Sequence, residues 1–366
     1  MASEANFSAV PVLDFTLLDR GKKDQFIAEL RHAVVNVGFL YLANPPVSKE
    51  LIDSVVDYAP KLFALPQEAK DKLVMRNSPH FLGYNRLGSE FTKGAQDQRE
   101  QFDIATEYEN RWTPGQPDYL RLWGPSQWPD ESEIPGFRQT FSAYLRQVEA
   151  LSFQFTSLLA EALSLPPDAF DPFFNVPKED MQHRGKVVKY PSVDQVSGSQ
   201  GVGPHFDAGF LTFLLQASDL PGLQVQNTSG EWIDVLPKPH TLVVNIGKGL
   251  ETVTQGVTLA TSHRVISPPV GSPARYSIPF FQNISLTVRL GEMRLDLPDH
   301  ILKLKEARGG TGKTESVNFS EYASEPSGLV SLIGRIKSHP DVGERHYPKL
   351  FRQLFPQGAP KFGDAY

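Results

Sequence analysis

The feature that most limits how this chain can fold lies in its middle third. From about residue 180, short β-rich runs follow one another between turn signals: "GKVVKYP", "GFLTFLLQ", "GLQVQN", "EWIDVLP", "HTLVVNIG", "SHRVIS" and "ARYSIPFFQN". No helical pattern separates them. Such a series indicates an antiparallel sandwich or barrel and not a parallel α/β sheet.

Helical patterns flank this region. "VPVLDFTLL" (10–18) reads as a short strand running into a turn. "KDQFIAELRHAVVNVGF" places Phe26, Leu30 and Val34 on one face of a helix that Gly38 ends, and "FLYLANPP" is a strand stopped by Pro45 and Pro46. Ser48 is a candidate N-cap for a second helix, and "PQEAKDKLV" adds a short third. Residues 76–135 are rich in Gly, Pro and Trp and predict a long irregular region with extended pieces such as "EQFDIAT". Phe137 to Leu163 predicts the longest helix, with Phe141, Leu145, Val148, Phe155 and Leu159 on a stripe that suits core packing. A late helix is expected within 321–339. "ARGGTGKTES" (307–316) resembles a phosphate-binding loop only in part, since Ala307 stands where its first glycine is required and no strand precedes it; a surface loop is expected. The expected organisation is an N-terminal α/β region (1–175), a β core (176–295) and a C-terminal loop and helix (296–366), acting as one structural unit.

Composition removes several function classes. A formal charge of −6 gives no basic footprint for nucleic acid or anionic lipid. With no cysteine, disulfides, thiolate-held zinc, iron–sulfur clusters and cysteine nucleophiles are all excluded. The N-terminus lacks a basic and apolar leader pattern and no apolar run reaches the length of a membrane span, so a cytoplasmic protein with no membrane partner is expected.

The chemistry concentrates in "GVGPHFDAGFLTFLLQ" (201–216), where His205 and Asp207 sit one residue apart. Such a pair alone is weak evidence: with nine histidines in the chain, chance supplies about half of one. A second His-x-Asp, His339 and Asp341, is interrupted by Pro340 at a helix end and has only His346 after it; it is expected to be structural or exposed. The first pair differs in two respects. Residues i and i+2 of a strand share a face, so His205 and Asp207 would converge. His263 then follows in a later strand, 56 positions after Asp207, far enough for antiparallel strands to return beside the first. Two histidines and one carboxylate form a facial triad whose open positions suit non-haem Fe(II) oxygen chemistry. "ARYSIPFF" adds Arg275 and Ser277 on one strand face, a natural receptor for a carboxylate. An inward-facing arginine in so apolar a strand needs an anionic partner. Phe281 and Asn283 continue the same alternation.

With these residues in place, the chain resembles the 2-oxoglutarate/Fe(II)-dependent dioxygenases, in the branch that includes isopenicillin N synthase and the plant flavonoid and gibberellin oxygenases. Matching stretches run along nearly the whole chain: "VPVLDF", "GFLYL", "GY…E…REQFDIA", "HFDAGFLTFLLQ", "GLQV", Gly230 with Trp232, "VVNIG", "SHRVI" and "RYSIPFF". The resemblance implies a mainly β fold with flanking helices, a distorted double-stranded β-helix (jelly roll) wrapped by N-terminal helices and closed by a C-terminal helix. It implies that His205, Asp207 and His263 ligate Fe(II), that Arg275, Ser277 and Tyr190 bind 2-oxoglutarate, and that O2 is the oxidant. The implied reaction couples decarboxylation of 2-oxoglutarate to oxidation of a C–H bond (hydroxylation, desaturation or ring closure) in a small organic molecule of specialised metabolism. Positions such as Lys186, Phe281 and Asn283 line the substrate pocket in this family, and the segment Phe81–Arg86 and the C-terminal helix are candidate lids. Val188 and Lys248 depart from the Asn and Asp common in the plant enzymes. An isopenicillin N synthase-like oxidase, in which Arg275 and Ser277 bind the substrate's own carboxylate and no 2-oxoglutarate is used, is the alternative. A non-enzymatic jelly-roll module and a zinc hydrolase are weaker rivals. The pocket is expected to be apolar with few fixed charges, which leaves terpenoids, polyketides, alkaloids, peptides and amino acids open, and the sequence sets no oligomeric state.

Overall fold

The computed structural model describes residues 6–92, 95–175, 177–193, 200–309 and 324–358. Its strands are β1 (Val12–Asp14), β2 (Phe39–Ala43), β3 (Gly83–Asn85), β4 (Phe91–Thr92), β5 (Ala95–Gln96), β6 (Glu100–Ala105), β7 (Arg184–Tyr190), β8 (Gln200–His205), β9 (Leu211–Gln216), β10 (Leu223–Gln226), β11 (Trp232–Asp234), β12 (Thr241–Ile246), β13 (His263–Ile266) and β14 (Arg275–Phe281). Among the described residues these form an eight-stranded sheet in the order β1-β2-β12-β9-β14-β7-β6-β3, a four-stranded sheet in the order β11-β10-β13-β8, and a small β4–β5 hairpin. All pairings are antiparallel except that of β1 with β2.

Period-two alternation assigns the two faces of the large sheet. Leu211, Phe213, Leu215, Leu242, Val244, Ile246, Val187, Ile278 and Phe280 belong to the larger core, while Val188, Tyr190 and Val243 join the smaller core with Val202, Val225 and Val265 of the other sheet. The second set therefore fills the space between the two sheets, as in a jelly roll. Residues of the same parity as that inner set are Thr212, Gln216, Asn245, Arg275 and Ser277. The polar residues that β9, β12 and β14 carry thus lie on the inner face.

The larger core lies between the outer face and the helices α1 (Lys23–Asn36), α2 (Lys49–Phe63) and α4 (Phe137–Ala162), with the short α3 (Gln67–Lys72) between them in sequence. Phe141, Leu145, Val148, Phe155 and Leu159 of α4 are all fully buried in it. Ser48 caps α2, its Oγ accepting from the Leu51 N–H. Gly38 ends α1 at φ +73°, where a Cβ would stand 2.1 Å from the Leu259 carbonyl oxygen. The segment read as irregular supplies β3 and β6, and β6 is buried along its whole length. Downstream come α5 (Lys248–Val253), α6 (Asp299–Ala307), α7 (Ser327–Ser338), α8 (Pro340–His346) and α9 (Pro348–Leu354). The expected late helix is α7; residues 310–316 of the expected polar loop lie outside the described residues. No helix of the described residues is long and apolar enough to cross a membrane.

Candidate metal and cosubstrate site

β8 ends at His205, so Asp207 lies in the turn before β9 and not on the strand that its spacing suggested. His263, first residue of β13, is paired directly with His205 across the two strands. The result is still convergence. One ligand atom each from His205, Asp207 and His263 lies within 4.8 Å of the others, and Asp207 Oδ1 is 3.9 Å from His205 Nε2 and 3.8 Å from His263 Nε2.

The imidazoles are oriented by backbone carbonyls. His205 Nδ1–H donates to the Gly203 carbonyl at 2.8 Å and His263 Nδ1–H to the Thr261 carbonyl at 3.1 Å. Each Nε2 therefore keeps its lone pair for the centre. Burial, with His263 beside it, pushes the His205 imidazole down to about 3, so it stands neutral. Burial raises the Asp207 carboxyl, but the two imidazoles and hydrogen bonds from Asn245 and Thr212 outweigh it and hold the group below its ordinary range. Thr212 Oγ1 and Asn245 Nδ2 both donate to Asp207 Oδ2, at 2.6 and 2.8 Å, which leaves Oδ1 facing the histidines. Sequence reasoning missed these two residues. Their signal was a polar residue inside an apolar run, in "GFLTFLL" and in "VVNIG".

On the neighbouring part of the inner face, Arg275 is 1% exposed and Ser277 2%. Arg275 Nη2 donates to Gln216 Oε1 at 2.9 Å, and neither Nε nor Nη1 has a partner among the described residues. Tyr190 pairs with Arg275 across β7 and β14, and the guanidinium lies 5.3 Å from its ring centroid. Two orphaned donors on a buried cation fit an anionic ligand and not an internal salt bridge. The donor set of two imidazoles and a carboxylate fits Fe(II), and the arginine fork fits a dicarboxylic cosubstrate.

A cavity of about 470 Å³ reaches the cluster at Asp207; His205, His263, Arg275, Ser277 and Tyr190 are not among its lining residues. Lys186, Phe281 and Asn283 line it, as does Asp207. The Asn283 side-chain amide is already engaged, donating to the Gln182 carbonyl at 2.7 Å. Two expectations need correction. The wall is not apolar with few charges: Glu90, Arg184, Lys186, Lys248 and Arg335 all face the cavity, because β7 and α7 present polar faces there. The segment Phe81–Arg86 does not line the cavity; Phe81 is buried against Tyr347 and Arg86 is exposed, paired with Asp71. Of the pair read as structural or exposed, His339 is buried at the cavity wall, 3.4 Å from Glu90, and Asp341 faces solvent. The departures are also located. Val188 lies opposite Ser277, and Lys248, ion-paired with Glu251, covers the Phe206 ring at the cavity rim.

Comparison with known proteins agrees with this geometry. Residues 181–284 match the family model of the 2OG-Fe(II) oxygenase superfamily, and residues 10–131 match that of the non-haem dioxygenase in morphine synthesis N-terminal region. The 2-oxoglutarate-dependent dioxygenase frbJ of Dothideomycetidae sp. is 43% identical over 97% of this chain and 96% of its own length. A 2-oxoglutarate-dependent dioxygenase of Gibberella zeae is 37% identical over 95% of this chain and 93% of its own. The crystal structure of a full-length Neurospora crassa protein in complex with alpha-KG and thymine is similar in fold, with a TM-score of 0.68 and 26% identity over 88% of this chain and 96% of that one. A jelly roll carrying a His-Asp-His cluster beside a buried, half-satisfied arginine is thus found in a chain that its relatives match from end to end, and the protein belongs to the 2OG-Fe(II) oxygenase superfamily as a 2-oxoglutarate-dependent dioxygenase using Fe(II) and O2.

Proposed function

We propose that His205, Asp207 and His263 hold the Fe(II), that Arg275, Ser277 and Tyr190 hold the distal carboxylate of 2-oxoglutarate, and that the cavity lined by Lys186, Phe281 and Asn283 takes a small organic substrate of specialised metabolism in the cytoplasm. The observation that carries this reading is the geometry at Asp207: three ligand atoms within 4.8 Å, both histidines fixed by backbone carbonyls. The bound metal and cosubstrate supply the oxidising power for a C–H bond. The chain's own residues orient and enclose. Asn245 and Thr212 hold the Asp207 carboxylate to one rotamer, Gln216 steadies the Arg275 guanidinium, and Phe206, Phe210 and Phe281 give the cavity apolar wall that limits water. The N-terminal region, the β core and the C-terminal helices act as one unit in this reading, since β2, β3 and β6 are strands of the same sheet as β7 and β14.

The test is anaerobic titration of the Fe(II)-loaded protein with 2-oxoglutarate, following the visible charge-transfer band of the chelate. The band is expected in the wild type and lost in Arg275→Ala at the same concentration. Iron bound with no band would overturn the cosubstrate assignment and leave Arg275 to a carboxylate of the substrate itself.

A further inference from the structure

Four cationic side chains line the cavity among the described residues: Arg184, Lys186, Lys248 and Arg335. Three are already compensated. Arg184 donates to the backbone carbonyls of Phe81, His80 and Leu122. Lys248 pairs with Glu251. Lys186 lies 3.5 Å from Asp103, 3.9 Å from Glu90 and within 3.4 Å of the Gln101 side-chain oxygen. Arg335 differs. Its guanidinium has neither a hydrogen bond nor an ion pair with any described residue. Burial lowers its pKa, and Asp103 and Glu90 oppose that only through space.

The helix around Arg335 leaves room for a ligand. Ser327, Ser331, Gly334 and Ser338 of α7 also face the cavity, at helical spacing. A Cβ added to Gly334 would meet nothing within 4 Å. Leu122, Trp123, Ile284, Leu286 and Leu290 supply apolar wall. A half-buried arginine beside small residues, with no anion hydrogen-bonded or ion-paired to it among the described residues, offers its donors to an anion of the ligand. Its planar fork favours a two-oxygen group such as a carboxylate.

We infer that Arg335 is the receptor for an anionic group, a carboxylate by its geometry, on the organic substrate, so that this dioxygenase acts on an organic acid or a zwitterion. The inference rests on the assignment of the cavity as the substrate site. Glu90 and Glu325 are carboxylates of the same cavity wall, where an ammonium group of a zwitterion would be met.

The test uses the Fe(II)-loaded enzyme with 2-oxoglutarate and a paired panel: L-amino acids, aliphatic and aryl carboxylic acids, and the primary amide of each. Stimulated succinate release is measured for wild type, Arg335→Gln and Arg335→Lys. At least one acid is expected to stimulate, with its amide about 100-fold or more weaker in kcat/KM. Arg335→Gln is expected to raise KM for that acid about 10- to 100-fold, with partial recovery in Arg335→Lys. Anaerobic 2-oxoglutarate binding should be unchanged in both variants, which also reports that they fold. Stimulation by amino acids alone identifies a zwitterion, and stimulation by simple acids an organic acid. No stimulation by any acid, equal stimulation by acid and amide, or an unchanged KM in Arg335→Gln would each overturn the inference. Failure of the underlying site assignment is separately visible, as absent 2-oxoglutarate binding in the wild type.

Discussion

Thr212 and Asn245 face each other across β9 and β12, and both donate to the same oxygen of Asp207. The carboxylate does not choose its own direction: a cross-strand pair on the inner face of the large sheet fixes it, and Oδ1 is left for the metal. Partners of this kind are worth about 10- to 100-fold in metal affinity. Asn245→Ala is therefore expected to weaken Fe(II) binding by about that factor while the fold, judged by thermal unfolding of the metal-free protein, changes little. Metal titration of the variant would decide it, and wild-type affinity would show that Asp207 needs no such support.

Arg275 offers a second separation, between charge and shape. Gln216 takes Nη2, leaving Nε and Nη1 of the planar guanidinium without a partner among the described residues. Arg275→Lys keeps the charge and loses the fork, so the concentration of 2-oxoglutarate needed for half-maximal succinate release should rise about tenfold or more, with iron affinity unaltered. A lysine variant that works as well as the wild type would mean that charge alone is recognised there.

Much of this arrangement was legible in the sequence because strand alternation is a local rule. Given β14, parity places Arg275 and Ser277 on one face and Ile278 and Phe280 on the other, as observed. His205 and Asp207 converge as expected, although through a turn beyond the strand end and not through alternation. The support for Asp207 was harder to see, since Asn245 meets Thr212 only once the register of β12 on β9 is known. The cavity's charges were hidden for a similar reason. Glu90, Lys186 and Arg335 come from the β4–β5 neighbourhood, from β7 and from α7, segments brought together only by tertiary packing. His339 has no local mark to distinguish a cavity wall from a solvated helix end.

The loop that carries Asp207 is held by close backbone contact with the start of α5. Gly247 N–H donates to the Phe210 carbonyl and Lys248 N–H to the Asp207 carbonyl, each at 2.8 Å. A Cβ on Gly247 would stand 2.1 Å from the Gly209 carbonyl oxygen and 3.2 Å from that of Asp207, so backbone must move. Gly247→Ala is expected to destabilise the protein by about 1–3 kcal/mol and to weaken Fe(II) binding along with it. Gly249→Ala, whose closest contact would be 3.1 Å, should be milder in both respects. Equal Tm and iron affinity in Gly247→Ala and wild type would show that the loop is not held there.

Behind β7, Glu149 of α4 is packed 3.5 Å from the fully buried His183. Burial raises its carboxyl to about 7, with Arg146 opposing and Glu179 adding to the rise. The folded state then binds more protons than the unfolded one between about 4.5 and 7, so stability falls as pH climbs through that window and stays lower above it. His183 has the opposite slope: burial lowers it to about 3, and its cost appears only as pH falls below its ordinary value of 6.5. That cost is common to both proteins when Glu149→Gln is compared with wild type, and it cancels. The variant, which mimics the protonated carboxyl, is expected to gain about 1–3 kcal/mol at pH 8 and little at pH 4.5. Urea unfolding at the two pH values measures the difference directly. A gain that is the same at both would mean that Glu149 is ionised in the folded protein throughout, and that its stabilisation by Gln is packing and not titration.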